Sequence, residues 1–293
     1  MSTDPRPSSF FPLISSKLSQ RQHEESFAAA AESLIERSYA ILNVGPELAC
    51  CLDEMPAEMA AVRASEREQF SFVSRTDGFM PSGMTFARDA EKIDLCETFN
   101  FWHCYRSDHA RFDFSRGALY AGASRAEGIF FEMAIELIRV MSGKLKYAHP
   151  IDFRNDSFVQ LNVYPDVLKH RRRAHLQELH EDGHLVTFIK PNGPGLLVRV
   201  DGRDHLVNLE RDELLVISGS LLTELTDGIV QPLYHSVLDL NLPAPRASLI
   251  YNVNALYDEM PSVQGRSIAM KSLANQHHVE FGQQPYHSDW THA

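Results

Sequence analysis

Residues 180–191 read HEDGHLVTFIKP, and this stretch decides the fold that we expect of the chain. Its second half is β-branched, aromatic and ended by proline, which is typical of a strand rather than a helix. His180 and Asp182 stand two positions apart, so in an extended chain both side chains emerge from the same face. One metal ion can then bind both.

His235, in the later run LYHSV of residues 233–237, is the candidate third ligand. Enough chain separates it from Asp182 for several strands to intervene and return it to the same point. Two imidazoles and one carboxylate on one side of a metal form the facial triad of non-haem Fe(II) oxygenases, which leaves positions open for a co-substrate and O₂. The order of these residues therefore predicts a facial metal site at His180, Asp182 and His235.

A candidate carboxylate receptor follows in the run RASLIYNV of residues 246–253. Arg246 and Ser248 share one face of this predicted strand. A guanidinium fork beside a hydroxyl offers a carboxylate parallel, charge-assisted hydrogen bonds. Asn162 and Tyr164 repeat the two-residue spacing and offer an amide and a phenol to the same cavity.

Together these motifs resemble the isopenicillin N synthase-like group of Fe(II)/2-oxoglutarate-dependent oxygenases. The motifs are Asn162-x-Tyr164-Pro165, His180-x-Asp182, His235 and Arg246-x-Ser248. Residues 94–99, DLCETF, are similar to the Asp-x-x-Glu-x-Phe segment before the core of that family, and residues 38–44 stand where its members have a first strand. The likeness covers nearly the whole chain in matching order, and the combination is more specific than any single motif.

The resemblance implies a β-rich α+β fold, in which a double-stranded β-helix (jelly-roll) core is flanked by N-terminal and central helices. The iron ligands that it implies are His180, Asp182 and His235. The residues that it implies for 2-oxoglutarate are Arg246 and Ser248, assisted by Tyr164 and Asn162. The implied activity is the O₂-dependent hydroxylation, desaturation or cyclisation of a small molecule, with release of succinate and CO₂.

Two other functions stay open at this stage. Some branches of the same family keep the Arg-x-Ser pair without using 2-oxoglutarate, so a 2-oxoglutarate-independent oxidative cyclase is the first alternative. The second is a non-catalytic jelly-roll protein that binds a metabolite. Formation of succinate separates the first alternative from the main prediction, and iron binding without turnover would indicate the second.

The expected substrate is a small molecule with a carboxylate, such as an amino acid or another secondary metabolite. This expectation follows from the family and from the basic run KHRRR at residues 169–173, which we interpret first as a solvated loop and second as a lid that steers an acidic molecule to the metal. Arg75 and Arg106 lie in the region that walls the substrate pocket of the family. They are candidate partners of an anionic substrate, although solvated arginines are the simpler interpretation.

The same stretch also satisfies the zinc-protease motif H-E-x-x-H, with His180, Glu181 and His184. That motif places two histidine ligands on consecutive turns of a helix, with the glutamate as general base. Gly183 disfavours a helix by about 1 kcal/mol relative to alanine, and strand-like residues follow it. We therefore predict that His184 is a turn or strand residue and not a ligand.

Composition limits the class of protein further. The chain has 293 residues, 44% of them hydrophobic, and a net charge of −11 at pH 7, which argues against general binding to nucleic acid or anionic membranes. It has no apolar run long enough to span a membrane, and its start lacks the apolar core of a signal peptide. The four cysteines have neither zinc-site nor disulfide spacing. We expect a cytoplasmic protein whose partner is a small molecule.

We predict a single oxygenase domain over residues 1–293. Residues 1–120 form a helical and irregular N-terminal support region, residues 150–255 the jelly-roll core, and residues 256–293 a C-terminal tail. We expect this tail to be either flexible or packed on the surface, where it can cover the mouth of the pocket. The histidines clustered in the tail can scavenge a metal without forming a site. A long helix is predicted over residues 121–146, with an apolar stripe that should back the sheet.

Frequent turn signals between short apolar runs indicate the strands of a jelly roll. We predict such strands over residues 195–200, 205–209, 213–218 and 221–225. Residues 158–164 alternate, which predicts a polar face lining the cavity and an aliphatic face packed under a helix.

Overall fold

The computed structural model describes residues 13–14, 23–81, 83–86, 89–164, 174–240, 242 and 245–286. The basic run at residues 169–173, interpreted above as a loop or lid, lies outside the described residues. The last two histidines of the tail, His287 and His292, also lie outside them.

The larger of the two main β-sheets carries eight strands among the described residues. They are numbered here in chain order and are paired antiparallel throughout. In spatial order they are β2 (Tyr39–Asn43), β11 (Glu213–Ser218), β8 (Val186–Pro191), β13 (Arg246–Val253), β6 (Phe158–Tyr164), β5 (Glu97–Trp102), β4 (Asp77–Met80) and β3 (Ser71–Phe72). Many neighbours in this sheet are distant in sequence, because the chain crosses repeatedly to a second sheet, as in a jelly roll.

The second sheet carries five strands in the described chain. In spatial order they are β1 (Leu13–Ile14), β10 (Arg203–Val207), β9 (Leu196–Val200), β12 (Tyr234–Leu238) and β7 (His175–His180). The short β1 pairs in parallel with β10, and the other pairs are antiparallel. Two further strands, β14 (Met260–Pro261) and β15 (Ser267–Ile268), pair only with each other among the described residues.

The two main sheets contribute to one shared apolar layer. The layer contains Ile189, Leu215 and Ile217 from the eight-stranded sheet and Leu196, Val198 and Val207 from the five-stranded sheet. Short antiparallel strands on both sides of such a layer are the structure of a jelly roll. The predicted β-rich α+β fold with a double-stranded β-helix core is therefore confirmed.

Seven α-helices of the described chain flank the sheets. They are α1 (His23–Arg37), α2 (Pro46–Ala61), α3 (Ala64–Gln69), α4 (Arg106–His109), α5 (Ala118–Leu145), α6 (Ser220–Leu225) and α7 (Met270–Glu280). The long helix predicted over residues 121–146 is α5, and Phe130 of its buried stripe stacks on Tyr251 of β13 with ring centroids 5.5 Å apart. No described helix is both long and apolar enough to cross a membrane.

The side chains of β6 lie on two faces, as predicted. Val159 and Leu161 are buried in the core that the sheet shares with the long helices, whereas Gln160 and Asn162 line a cavity. In β13, which runs antiparallel beside β6, Ser248 lies opposite Asn162. One face of the eight-stranded sheet therefore packs under helices, and the other faces the cavity.

One predicted strand is wrong. Residues 221–225 belong to the helix α6. A run of five residues with a few leucines is too short for periodicity to separate a strand from a helical turn. The Thr226 hydroxyl donates back to the Leu222 carbonyl oxygen at 2.8 Å and so closes the last turn of the helix.

The C-terminal tail predicted over residues 256–293 contains a packed element. Helix α7 lies within it, with Met270, Ala274 and His278 buried. Of the two forms that we predicted for the tail, flexible or packed on the surface, the described part has the packed form.

Truncation of Phe130 tests the packing of α5 on the sheet. Phe130→Ala leaves a cavity against Phe188 and Tyr251, so we expect the free energy of unfolding, measured by chemical denaturation, to fall by about 3 to 5 kcal/mol. Ile135→Ala, on the exposed side of the same helix, is the control and should change this quantity by about 0.5 kcal/mol or less. Equal losses in the two variants would contradict the buried face assigned to α5.

Candidate functional site

Two histidines and one aspartate meet where β7 and β12 pair. His180 ends β7 and lies opposite His235 of β12 in the antiparallel register, and their ring centroids are 4.3 Å apart. Asp182, two residues after His180, reaches the same point. The structure thus brings the three predicted ligands together, with one ligand atom from each within 4.8 Å of the others.

The spacing of these atoms fits a single metal ion. Asp182 Oδ1 lies 3.6 Å from His180 Nε2 and 3.9 Å from His235 Nε2. Ligands bound about 2.1 Å from one ion are separated by about 3 to 4 Å, whereas a direct hydrogen bond would bring the atoms to about 3 Å. Two imidazole nitrogens and one carboxylate oxygen are the donor set of a facial triad, which suits Fe(II).

The tautomer of His180 is fixed by the adjacent backbone. Its Nδ1 donates to the Glu178 carbonyl oxygen at 2.7 Å. The neutral ring therefore carries its lone pair on Nε2, the atom nearest Asp182. A hydrogen bond of this kind orients a ligating imidazole and raises its basicity.

Burial and neighbouring charge set the protonation of the other two ligands. Burial acts to raise the pKa of the Asp182 carboxyl, but the neighbouring imidazoles outweigh burial and lower that pKa to about 2. Burial, together with the nearby His180, lowers the pKa of His235 to about 4. Near neutral pH the carboxylate is therefore ionised and His235 is neutral, as metal binding requires.

Arg246 is a buried guanidinium at the start of β13. Its Nε donates to the Pro194 carbonyl oxygen at 3.1 Å, and its Nη1 donates to Ser248 Oγ at 2.8 Å. Nη2 is buried and has no hydrogen-bond partner among the described residues. The guanidinium also lies 5.0 Å from the centroid of the Tyr164 ring. Because Ser248 accepts from Nη1, its own proton can join Nη2 in binding a carboxylate.

Asn162 lies next to this receptor, opposite Ser248 in the strand register. Its Oδ1 accepts from Thr98 Oγ1 at 3.0 Å and from Gln160 Nε2 at 2.9 Å. These two bonds fix the orientation of the amide, and its Nδ2 is buried without a partner in the described part of the chain. Asn162 therefore offers a further donor beside Arg246 and Ser248.

A cavity of about 70 Å³ opens beside the metal ligands, which form part of its wall. The sheet residues that line it include Gln160 and Asn162 of β6, Thr187 and Ile189 of β8, and Ile250 and Asn252 of β13. Arg246 and Ser248 do not line it, but they continue the same face of β13 beyond Ile250. The candidate carboxylate receptor thus lies past one end of the cavity, along the same strand.

Helix α7 closes one side of the cavity, which is the form of the predicted C-terminal tail that covers the mouth of the pocket. His277, His278 and Phe281 line the cavity, and the Phe281 ring centroid lies 5.7 Å from that of His180. The helix approaches so closely that a Cβ on Gly183 would meet the ring of His277. The cluster of histidines in the tail was the available signal, and nothing in the sequence tied it to the metal ligands.

The H-E-x-x-H interpretation has no helix to support it. His180 ends a strand, and the chain bends through His184 before β8 begins at Val186. His184 is not among the grouped metal ligands, and its Nδ1 lies 2.8 Å from Asn254 Oδ1. His184 is a buried residue of the turn between two strands, which agrees with our prediction.

The structure places Arg75 between two carboxylates. Its guanidinium forms ion pairs with Asp77 and Asp108, both at 3.0 Å, and lies 3.8 Å from the centroid of the Tyr105 ring. Arg106 is exposed at the start of α4. Neither arginine is among the described residues that line the cavity, and a role for either in substrate binding stays a prediction.

No protein-family model matches this chain, and no curated protein matches its sequence. Solved structures do match. A full-length Neurospora crassa protein in complex with alpha-KG and 5-formyluracil is 14% identical, with a TM-score of 0.70 over 91% of this chain and 95% of that chain. A Caulobacter crescentus protein of the 2OG-Fe(II) oxygenase family is 20% identical, with a TM-score of 0.67 over 91% of this chain and 97% of that chain.

A third match is JOX2 in complex with 2OG, Fe and JA. It is 16% identical, with a TM-score of 0.69 over 98% of this chain and 92% of that chain. Proteins of the 2OG-Fe(II) oxygenase class are thus among the structural neighbours, and at these identities the likeness shows the fold. The chain has the double-stranded β-helix fold of these oxygenases.

Removal of a triad side chain should strongly weaken metal binding. Loss of an outer partner of a metal ligand already costs about 10- to 100-fold in affinity, so we expect His180→Ala and Asp182→Ala to weaken Fe(II) binding by more than about 100-fold. Anaerobic calorimetry measures this. The control is His175→Ala, a partly exposed histidine of the same strand outside the triad. Wild-type affinity in either triad variant would remove that residue from the site.

Proposed function

We propose that this protein is a non-haem Fe(II)/2-oxoglutarate-dependent dioxygenase that oxidises a small molecule and releases succinate and CO₂. The observation that carries the proposal is the convergence of His180, Asp182 and His235, with ligand atoms within 4.8 Å of one another. The buried guanidinium of Arg246 near the same cavity supports it, because a dicarboxylate co-substrate needs such a receptor. The fold shared with 2OG-Fe(II) oxygenases is consistent with it.

The triad would hold Fe(II) through three protein ligands on one side. When bound there, the iron supplies the activation of O₂ and, with 2-oxoglutarate, the oxidation of an unreactive C–H bond. The protein would contribute the positions of the ligands. The Glu178 carbonyl orients His180, and the strand register places His235 opposite it. Because the chain would supply only these three ligands, the co-substrate and O₂ could also bind the iron.

Arg246 and Ser248 would anchor the far carboxylate of 2-oxoglutarate. Arg246 Nη2 and Asn162 Nδ2 are buried donors without partners among the described residues, and a buried donor is costly until an acceptor arrives. Burial raises the pKa of the Tyr164 phenol, so this group stays protonated and can donate as well. These donors would orient the co-substrate along the face of β13, toward the triad.

Helix α7 and the two sheets would exclude bulk water from the reaction. His277, His278 and Phe281 cover the side of the cavity nearest His180. A site shielded from bulk water keeps reactive species from solvent and strengthens each electrostatic contact within it. The chain would thus position, orient and shield its bound molecules.

Within this class we propose the isopenicillin N synthase-like group, on the order of the four motifs in the chain. Hydroxylation is the reaction that we expect, with desaturation or cyclisation as variants. The prediction of a carboxylate-bearing substrate rested partly on residues 169–173, which lie outside the described residues. The single domain over residues 1–293 and the cytoplasmic location are also kept as proposals.

The experiment that tests the function is anaerobic reconstitution with Fe(II), then addition of 2-oxoglutarate while the visible spectrum is recorded. We expect a metal-to-ligand charge-transfer band, followed by succinate once O₂ is admitted. Bound iron without the band would indicate the 2-oxoglutarate-independent cyclase. A band without turnover of any substrate would indicate the metabolite-binding protein, and no iron binding would overturn the proposal.

Loss of Arg246 should weaken the binding of 2-oxoglutarate. Removing one partner of a buried charge pair costs about 2 to 5 kcal/mol, so we expect Arg246→Ala to raise the Kd by roughly 30-fold or more, measured by titration of the charge-transfer band. Arg246→Lys keeps the charge but loses the planar fork, and should lie between Arg246→Ala and the wild type. Arg199→Ala, which breaks a surface pair with Asp204, is the control. An unchanged Kd in Arg246→Ala would assign Arg246 to another ligand.

A further inference from the structure

Three side chains on the α7 side of the cavity present hydrogen-bond acceptors, and we call His184, His278 and Gln283 the acceptor cluster. All three line the cavity. His278 is buried, and its Nδ1 donates to the Gln284 carbonyl oxygen at 3.1 Å. The lone pair of the neutral ring then lies on Nε2, which is buried and has no hydrogen-bond partner among the described residues.

His184 also presents an imidazole acceptor to the cavity, by the same argument from its tautomer. Asn254 Nδ2 donates to the Tyr286 hydroxyl at 3.0 Å, which fixes the amide of Asn254 and turns its Oδ1 toward His184. His184 Nδ1, 2.8 Å from that oxygen, is therefore the protonated nitrogen, and Nε2 is the acceptor. The ring centroids of His184 and His278 are 6.3 Å apart, so one small molecule can reach both.

Gln283 supplies the third acceptor. Its backbone N–H donates to the His278 carbonyl oxygen at 2.9 Å, which fixes the residue at the end of α7. Its side-chain Oε1 is buried and has no partner within the described chain. Buried acceptors without donors are costly in the free protein, and a bound molecule that donates to them would remove that cost.

The surroundings of the cluster disfavour an ionic partner. Burial, with His184 and His277 nearby, lowers the pKa of His278 to about 3, which means that positive charge is disfavoured at this point. The oxygens of a carboxylate would be repelled by the lone pairs of the cluster. No lysine or arginine among the described residues lines the cavity to offset this repulsion. The lining carboxylate of Asp94 already accepts from Gln177 at 3.4 Å. An uncharged N–H or O–H avoids the cost of burying an unpaired charge.

We propose that the acceptor cluster recognises the substrate that is to be oxidised, and that this substrate is a neutral small molecule presenting N–H or O–H donors, as a lactam or ureide ring does. The inference rests on the proposed function, because it takes the cavity beside the triad as the substrate site. The neutral substrate proposed here takes the place of the carboxylate-bearing substrate that we predicted from the sequence. The carboxylate receptor at Arg246 and Ser248 is thereby left to the co-substrate.

Three matched ring compounds test this recognition. Uracil has two ring N–H donors, 1,3-dimethyluracil has the same ring without them, and orotate adds a carboxylate to the uracil ring. Binding to metal-free protein and to protein loaded with Zn(II) and 2-oxoglutarate is measured by ligand-observed NMR. We expect uracil to bind about 10-fold more tightly than either of the others, which is the effect of roughly one hydrogen bond. Equal binding of the three, or no binding of uracil to either form, overturns the proposal.

The imidazoles give a second readout that does not depend on activity. In ring ¹⁵N correlation spectra we expect His278 Nε2 to be unprotonated in the free protein and to shift when uracil donates to it. A protonated Nε2 in the free protein, or an unchanged resonance in the uracil complex, overturns the assignment.

Variants of His278 separate recognition from folding. His278→Leu removes the acceptor, whereas His278→Gln returns a carboxamide oxygen near the position of Nε2. We expect uracil binding about 10-fold weaker in His278→Leu, restored in His278→Gln and unchanged in Val279→Ala, an exposed neighbour on the same helix. Thermal unfolding verifies that each variant is folded. Wild-type affinity in folded His278→Leu contradicts the proposal.

The two proposals fail in distinguishable ways. Absence of Fe(II) and 2-oxoglutarate binding, with uracil still bound through His278 in the metal-free protein, would overturn the oxygenase and keep the neutral ligand. A charge-transfer band and succinate, without any preference for uracil, would keep the oxygenase and overturn the acceptor cluster.

Discussion

The antiparallel pairing of β7 with β12 is the constraint on which the rest of the site depends. Side chains alternate along a strand, so a slip of one residue in this pairing would send His235 to the opposite face of the sheet, away from His180. β12 is held on its other side by β9, where Val198 lies opposite His235. Val198 belongs to the apolar layer between the sheets, and the packing of that layer therefore fixes where the two imidazoles meet.

The two chemical halves of the site come from different sheets. The imidazoles of the triad belong to the five-stranded sheet, whereas Arg246, Ser248, Asn162 and Tyr164 belong to the eight-stranded sheet. A molecule that binds both the proposed metal site and the proposed carboxylate receptor must therefore span the space between the sheets. The distance between them is set by the same apolar layer, so the rigidity of the core becomes the rigidity of the site.

The sequence alone predicted those features of the fold and site whose signal is a local periodicity. The two-residue spacings at His180 and Arg246 predicted shared faces, and the stripe through Phe130 predicted the long helix. Prediction from the sequence failed where tertiary contacts determine the structure. Residues 221–225 are too short to show a period, so their helix was predicted as a strand. The packing of α7 depends on contacts with residues that are distant in the sequence. The buried hydrogen bonds of His278 were likewise hidden, because the partners of an imidazole cannot be read from the order of residues.

The close contact between Gly183 and His277 couples the evolution of two positions that are distant in the sequence. A side chain larger than hydrogen at position 183 would collide with the imidazole, so in related proteins these two positions should change together and not singly. The turn that carries Asp182 cannot then diversify freely. Divergence toward new substrates would be concentrated instead on other positions of α7 that line the cavity, such as His278.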